Sequence, residues 1–193
     1  MKPIRDFLVE IPKRFKDEIE LSDGSKLWLA SKYQEFNNRV TSAKVIAIPA
    51  KDDMGVEVGD ELYFHHHVVT TLDKYSQEIE KKKFNVRPDQ AIAHKNKDGV
   101  IKSLGEWVLV EPVEQNDKLQ SEVLEIIQEK VNSMGRVKYM SKDYHDVKEG
   151  DLVEFSKNSD YEIEIDGEPM WRMLYTDMLF VWLEEDDQKS SRR

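Results

Sequence analysis

A nine-residue motif that occurs twice constrains this chain more than any other feature: Val56-Glu57-Val58-Gly59-Asp60-Glu61-Leu62-Tyr63-Phe64 and Val147-Lys148-Glu149-Gly150-Asp151-Leu152-Val153-Glu154-Phe155. In both, a Gly-Asp pair precedes an alternating run that ends in Phe. Glycine there supplies the positive φ of a tight turn, and the aspartate can hydrogen-bond its own turn backbone. The run that follows reads as a half-buried strand, because β-branched and aromatic side chains suit a pleated surface. The surrounding pattern repeats in the same order. Phe7-Leu8-Val9-Glu10-Ile11-Pro12 answers Trp107-Val108-Leu109-Val110-Glu111-Pro112, and Val45-Ile46-Ala47-Ile48 answers Val137-Lys138-Tyr139-Met140. Arg87-Pro88-Asp89-Gln90-Ala91-Ile92-Ala93 answers Tyr175-Thr176-Asp177-Met178-Leu179-Phe180-Val181. Four matches in one order predict an all-β chain built from two tandem copies of one module. The first copy is expected over 1–99 and the second over 100–185, with Gly99 as a turn at the boundary. Residues 186–193, a run of charged and small polar side chains, are expected to be a disordered tail.

Each copy carries a long connection between its first two strands, residues 13 to 42 in the first and 114 to 134 in the second. Unstructured connections beyond roughly 12–15 residues are uncommon unless they serve a function or are disordered. Both segments are polar apart from one apolar cluster, Leu27-Trp28-Leu29 in the first and Val123-Leu124-Glu125-Ile126-Ile127 in the second. Two readings are open. The clusters could fold back on their own modules, as a short edge strand in the first copy or as an amphipathic helix in the second, where Val123, Leu124, Ile127 and Val131 fall at helical spacing. Alternatively they are the tips of recognition loops that enter a groove on a partner. One such loop binds weakly after the cost of ordering it, but several displayed together bind well.

Composition excludes several classes. The 193 residues carry a formal net charge of −10, which argues against a general nucleic-acid binder, since that needs a basic face to displace counterions. With 39% hydrophobic and 35% charged residues the chain has modest cores under a solvated surface. There is no cysteine for a disulfide, thiol chemistry or a cysteine metal site. No apolar run approaches the ~20 residues of a membrane helix, and the N-terminus shows no signal-peptide core. A soluble, cytoplasmic protein without membrane partners is expected.

Enzymatic chemistry finds little support. His65-His66-His67 in a strand would place His65 and His67 on one face, where His94 or His145 could complete a metal site. Polar residues at a strand end explain the run equally well, so no metal and no cofactor are expected. In Tyr161-Glu162-Ile163-Glu164-Ile165-Asp166-Gly167 the acids alternate onto a solvent face, with Asp166-Gly167 as a hairpin turn. No phosphate-binding glycine loop or nucleophile elbow occurs. Trp107, Trp171 and Trp182 lie in strand-like runs and are expected in the core. Residues Leu72 to Lys83 are read as a charged helical or hairpin excursion.

The order of these features resembles the GroES-type co-chaperonin family. Ile4-Arg5-Asp6-Phe7-Leu8-Val9 is similar to the family's opening strand, and Gly24-Ser25-Lys26-Leu27-Trp28-Leu29 to its mobile-loop tip. The two Gly-Asp motifs resemble its turn-strand, and Asp89-Gln90-Ala91-Ile92-Ala93 and Asp177-Met178-Leu179-Phe180-Val181 its closing strand. The likeness spans nearly the whole chain through individually loose motifs. It implies two irregular antiparallel β-barrels, assembly of like chains into a ring, and capping of a GroEL-type chaperonin around an unfolded protein substrate. It also suits a divergent bacteriophage or bacterial source. The partner contacts it implies are Leu27, Trp28 and Leu29, with Val123, Leu124, Ile126 and Ile127 in the second copy. The rival expectation is a structural or virion-associated β-barrel protein that keeps the fold without chaperonin binding, and a third is an enzyme with a histidine-centred metal site.

Overall fold

The computed structural model describes residues 3–16, 18–20, 23–28, 38–51, 54–70, 77–113, 133–141, 144–159 and 161–182. Nine strands fall in the first part of the chain: β1 (Phe7–Glu10), β2 (Glu18–Glu20), β3 (Lys26–Trp28), β4 (Ser42–Ala47), β5 (Glu61–Phe64), β6 (Glu78–Glu80), β7 (Lys83–Val86), β8 (Ala91–Lys95) and β9 (Ile101–Ser103). Six more follow: β10 (Trp107–Pro112), β11 (Met134–Met140), β12 (Leu152–Phe155), β13 (Tyr161–Ile165), β14 (Glu168–Leu174) and β15 (Met178–Trp182). The chain is all-β, and among the described residues helices are limited to short 3-10 turns. No helix there is long and apolar enough to cross a membrane.

Two compact units divide between Gly105 and Glu106. The expected boundary at Gly99 proves to be a hairpin turn inside the first unit, because Ile101–Ser103 pairs back on β8. The first sheet runs β6-β7-β1-β4-β5-β8-β9 and the second β13-β14-β10-β11-β12-β15, with antiparallel neighbours throughout. Strand for strand these are one topology, to which the first unit adds β9.

The Gly-Asp turns explain the identity of the two sheets. Gly59 (φ 98°) and Gly150 (φ 94°) occupy the left-handed region, where a side chain would be strained. In the first unit Val45 N–H donates to Asp60 O (2.9 Å) and Gly59 N–H to Val45 O (2.8 Å). In the second, Val137 N–H donates to Asp151 O (2.9 Å) and Gly150 N–H to Val137 O (2.8 Å). Each carboxylate closes its own turn, Asp60 accepting from Glu57 N–H and Asp151 from Lys148 N–H, both at 2.9 Å. The turn therefore grips the middle of the preceding strand and fixes the register of the next.

Packing carries the equivalence inward. The first core holds Phe7, Val9, Val45, Val56, Leu62, Phe64, Phe84 and Val86, all buried. The residues at matching positions of the second sheet, Val108, Val110, Val137, Val147, Val153, Phe155, Trp171 and Met173, form the second core. Fully burying one such side chain is worth about 1.5–3 kcal/mol, so each unit has its own substantial apolar drive.

Two of the four sequence matches slip by one residue. Each opening strand faces a bulge in the strand that follows it, where Ile46 or Lys138 is the extra residue, opposite Leu8–Val9 and Leu109–Val110; this shared irregularity matches Phe7 with Val108 and not Trp107. The 3-10 turns Pro88–Gln90 and Tyr175–Asp177 likewise match Gln90 with Asp177. Their side chains do the same work: Gln90 Oε1 accepts from Arg87 N–H (3.3 Å) and Asp177 Oδ2 from Leu174 N–H (3.0 Å). The expected hairpin at Asp166-Gly167 forms, both residues having positive φ (54° and 85°) as a type I′ turn requires. Ile163 and Ile165 face inward there, with Glu162 and Glu164 outward. Of the excursion over Leu72 to Lys83, the described part is the β6–β7 hairpin, with Lys82 at its turn (φ 67°). Trp171 is a core residue and Trp107 is half-buried under the Arg172 guanidinium, 5.2 Å from the ring centroid. Trp182 overturns the core expectation: it is 54% exposed, since β15 lies at the edge of its sheet.

One difference between the copies has an energetic consequence. Asp60 is 2% exposed, and its Oδ2 lies 3.0 Å from Nδ1 of His94, itself 4% exposed. A carboxylate only accepts, so Nδ1 carries the proton. The residue matching His94 in the second unit is Val181. Asp60→Ala is expected to destabilise its unit by about 1–3 kcal/mol more than Asp151→Ala does, because it strands a buried imidazole donor. Urea unfolding midpoints of the two variants check this, and equal losses would contradict it.

Candidate partner-binding site

The apolar cluster of the first long connection lies on a small hairpin. β2 and β3 pair antiparallel with Glu18 opposite Trp28, Ile19 opposite Leu27 and Glu20 opposite Lys26. The turn is built from Asp23, Gly24 and Ser25. Gly24 has φ 80°, and Asp23 Oδ1 accepts from both Ser25 N–H (2.8 Å) and Ser25 Oγ–H (2.5 Å). Lys26 Nζ reaches Glu18 Oε1 at 2.8 Å across the ladder. These are local polar bonds in water, and a two-stranded hairpin held only by such bonds is marginal.

The hairpin stands on a firmer foot. Lys16 N–H donates to Asn38 O (2.7 Å) and Val40 N–H to Arg14 O (3.0 Å), with a bridge between Phe15 and Arg39. The Arg14 guanidinium donates to Thr70 O (3.1 Å), pairs with Glu78 and lies over the Phe84 ring at 5.2 Å. Glu78 is held below the usual carboxylate range, first by the Lys82 N–H and then by Arg14. The foot is thus tied to β6, β7 and the 3-10 turn before them.

On this foot Leu27 is 52% exposed and Trp28 73% exposed, and every described side chain of β3 faces water. The short-strand reading of the first cluster holds for Leu27 and Trp28, which lie in β3, whereas neither is buried in the core of its own module. Leu29 lies outside the described residues, as do Val123, Leu124, Ile126 and Ile127 of the second connection and its proposed helix.

A second exposed apolar surface has no counterpart in the sequence expectations. In β15, Leu179 (54%), Phe180 (61%) and Trp182 (54%) are exposed at the open edge of the second sheet. The other three sheet edges are blunted in the usual ways. β6 presents Glu78 and Glu80, β9 is three residues long, and β13 presents Glu162 and Glu164. The strand matching β15 in the first unit, β8, is covered by β9. The unbroken apolar run Met178-Leu179-Phe180-Val181-Trp182 was the available signal, since a strand with one wet face alternates.

The histidine run also departs from expectation. The chain leaves the strand at Phe64 and turns through a 3-10 segment at His66–Val69, so His65, His66 and His67 cluster on one turn. His94 is committed to Asp60 in the interior, and His145 belongs to the second unit. In comparisons with known proteins, the sequence matches no protein-family model and no curated protein.

The Asp23 carboxyl is held below its ordinary value by the Ser25 hydroxyl and then by the Ser25 amide. The turn is therefore braced while Asp23 is ionised and loses this brace as pH falls through that lowered range. Protection of the Ser25 amide from hydrogen exchange is expected to fall in Asp23→Ala at neutral pH, and in the parent chain only on acidification. Unchanged protection in the variant would remove Asp23 from the turn's support.

Proposed function

We propose that the chain is a co-chaperonin: copies associate into a ring-shaped lid that docks on a GroEL-type chaperonin and encloses an unfolded protein. The observation that carries this reading is the β2–β3 hairpin, which holds Leu27 and Trp28 in water on a clamped foot. Exposing a leucine and a tryptophan on a marginal hairpin gains nothing for the fold, whereas burying each in a partner's groove is worth about 1.5–3 kcal/mol. Ordering costs leave one hairpin a weak ligand, and a ring of them a strong one through effective concentration. The duplicated Gly-Asp modules support the reading by their likeness to the family's turn-strand. The apolar β15 edge supports self-association, since it has no further strand beside it among the described residues and an exposed edge is a template for another chain.

Docking is tested by size-exclusion chromatography of the chain with a GroEL-type chaperonin and nucleotide. Trp28→Ser and Leu27→Ser are each expected to weaken binding by about tenfold to a hundredfold per site, the equivalent of one buried side chain, with an unchanged far-ultraviolet spectrum. Full binding by both variants would exclude the hairpin as the contact. Light scattering on the chain alone tests assembly. An oligomer is expected that Phe180→Lys dissociates, and a monomer at every concentration would remove the ring from this reading.

A further inference from the structure

The turn after β5 brings three imidazoles together. His65 sits in extended backbone (φ −64°, ψ 134°), its N–H donating to Gln90 O (3.0 Å) and its carbonyl accepting Val68 N–H (3.0 Å). Val68 and Val69 are wholly buried in the first core and hold the turn down. The second unit turns at the matching place with other residues and another backbone, Asn158 taking φ 66° where the first unit has its 3-10 segment. Ser156 N–H donates to Asp177 O (2.9 Å), the Ser156 carbonyl accepts Ser159 N–H (3.2 Å), and Lys157 and Asn158 stand where His66 and His67 do. The second unit therefore closes its matching turn without an imidazole, whereas the first gathers three.

What they add is a set of nitrogen donors. The ring centroids lie 4.4 Å (His65–His66), 4.4 Å (His65–His67) and 4.2 Å (His66–His67) apart. One ligand nitrogen from each lies within 4.8 Å of the others. Metal–nitrogen bonds of about 2.0–2.1 Å at tetrahedral angles need nitrogens roughly 3.3 Å apart, a closure that side-chain rotations of one exposed and two half-buried rings can supply. Nδ1 of His65 accepts the His67 backbone N–H at 3.2 Å. An ion drawn to that nitrogen displaces this solvent-exposed hydrogen bond. Imidazole favours the late first-row divalent ions, and oxygen-seeking magnesium and calcium have no reason to choose this site.

We propose that His65, His66 and His67 form a binding site for a late first-row divalent transition-metal ion of the zinc, copper or nickel class, with water completing the coordination. The three ligands occupy one side of the ion, so the site stays open to a fourth donor. Its independence from chaperonin docking lets each be tested alone.

The experiment uses the full chain made without an affinity tag and stripped with chelator. Calorimetric titration with Zn²⁺ is expected to saturate at one ion per chain, and Co²⁺ to give visible absorption that Zn²⁺ displaces. The variant His65→Ser/His66→Lys/His67→Asn installs the second unit's turn residues and is expected to abolish both signals. Loss of a ligand costs more than the roughly 10–100-fold that outer partners of a metal site are worth. NMR of the histidine rings in the parent chain decides the matter even if that variant folds poorly: three rings shift on adding Zn²⁺ while those of His94 and His145 stay put. No saturable binding, undiminished binding by a folded variant, or shifts confined to His94 and His145 would each overturn the proposal.

Discussion

Both sheets hang on the grip that each Gly-Asp turn takes on the strand before it. The amide of the glycine and the carbonyl of the aspartate close on a single valine, Val45 or Val137, from both sides. Because a strand's side chains alternate, a slip of one residue here would send the whole inward face of the next strand to solvent. The turn prevents this by using backbone groups that any sequence has, and it asks of the sequence only a glycine able to take positive φ and an acid to close the loop. That economy lets two copies differ at half of their matched core positions, Phe7 against Val108 or Phe84 against Trp171, and still keep one strand order.

This division of labour also governs what could be read from the sequence. The Gly-Asp turns and the Asp166-Gly167 hairpin were legible because their backbone conformation is nearly closed to other residue types. The alternating strands were legible because they have one wet face. Register was less so: Pro12 with Pro112 and Asp89 with Asp177 align by residue type, whereas the structure matches Phe7 with Val108 and gives Gln90 the hydrogen bond that Asp177 makes, each one position away. Trp182 was misplaced for a different reason. A tryptophan in a strand-like run carries the same signature in a core as on an edge, and only the absence of a next strand decides which. The end of β5 at Phe64 was legible, and tertiary structure alone shows that the turn after it gathers the rings of His65, His66 and His67. Leu27 and Trp28 were identified as an apolar cluster, and tertiary structure alone settles that they face water. Leu29 and the cluster from Val123 to Ile127 lie outside the described residues.

The two copies have diverged in a directed way. The first has a buried Asp60–His94 pair where the second has Asp151 and Val181, and an imidazole turn where the second has Ser156, Lys157 and Asn158. It also carries the braced hairpin. Among the described residues the buried Asp60–His94 pair, the three imidazoles and the hairpin all lie in the first unit, whereas the second exposes its apolar edge. A duplicated module divides tasks in this way when one backbone solution is tolerant enough to carry two different surfaces.

β9 deserves a last consideration as a matter of valence. A tandem chain whose two modules both kept bare apolar closing strands would offer two equivalent adhesive edges. Chains with two such edges can branch or grow into open arrays, because nothing limits which edge meets which. By laying Ile101–Ser103 against β8, the connector to the second unit spends one edge within the chain. Among the described residues this leaves one uncovered apolar closing strand, at β15. Duplication has doubled the number of modules without doubling such edges, because the segment that joins the copies shields the first of them.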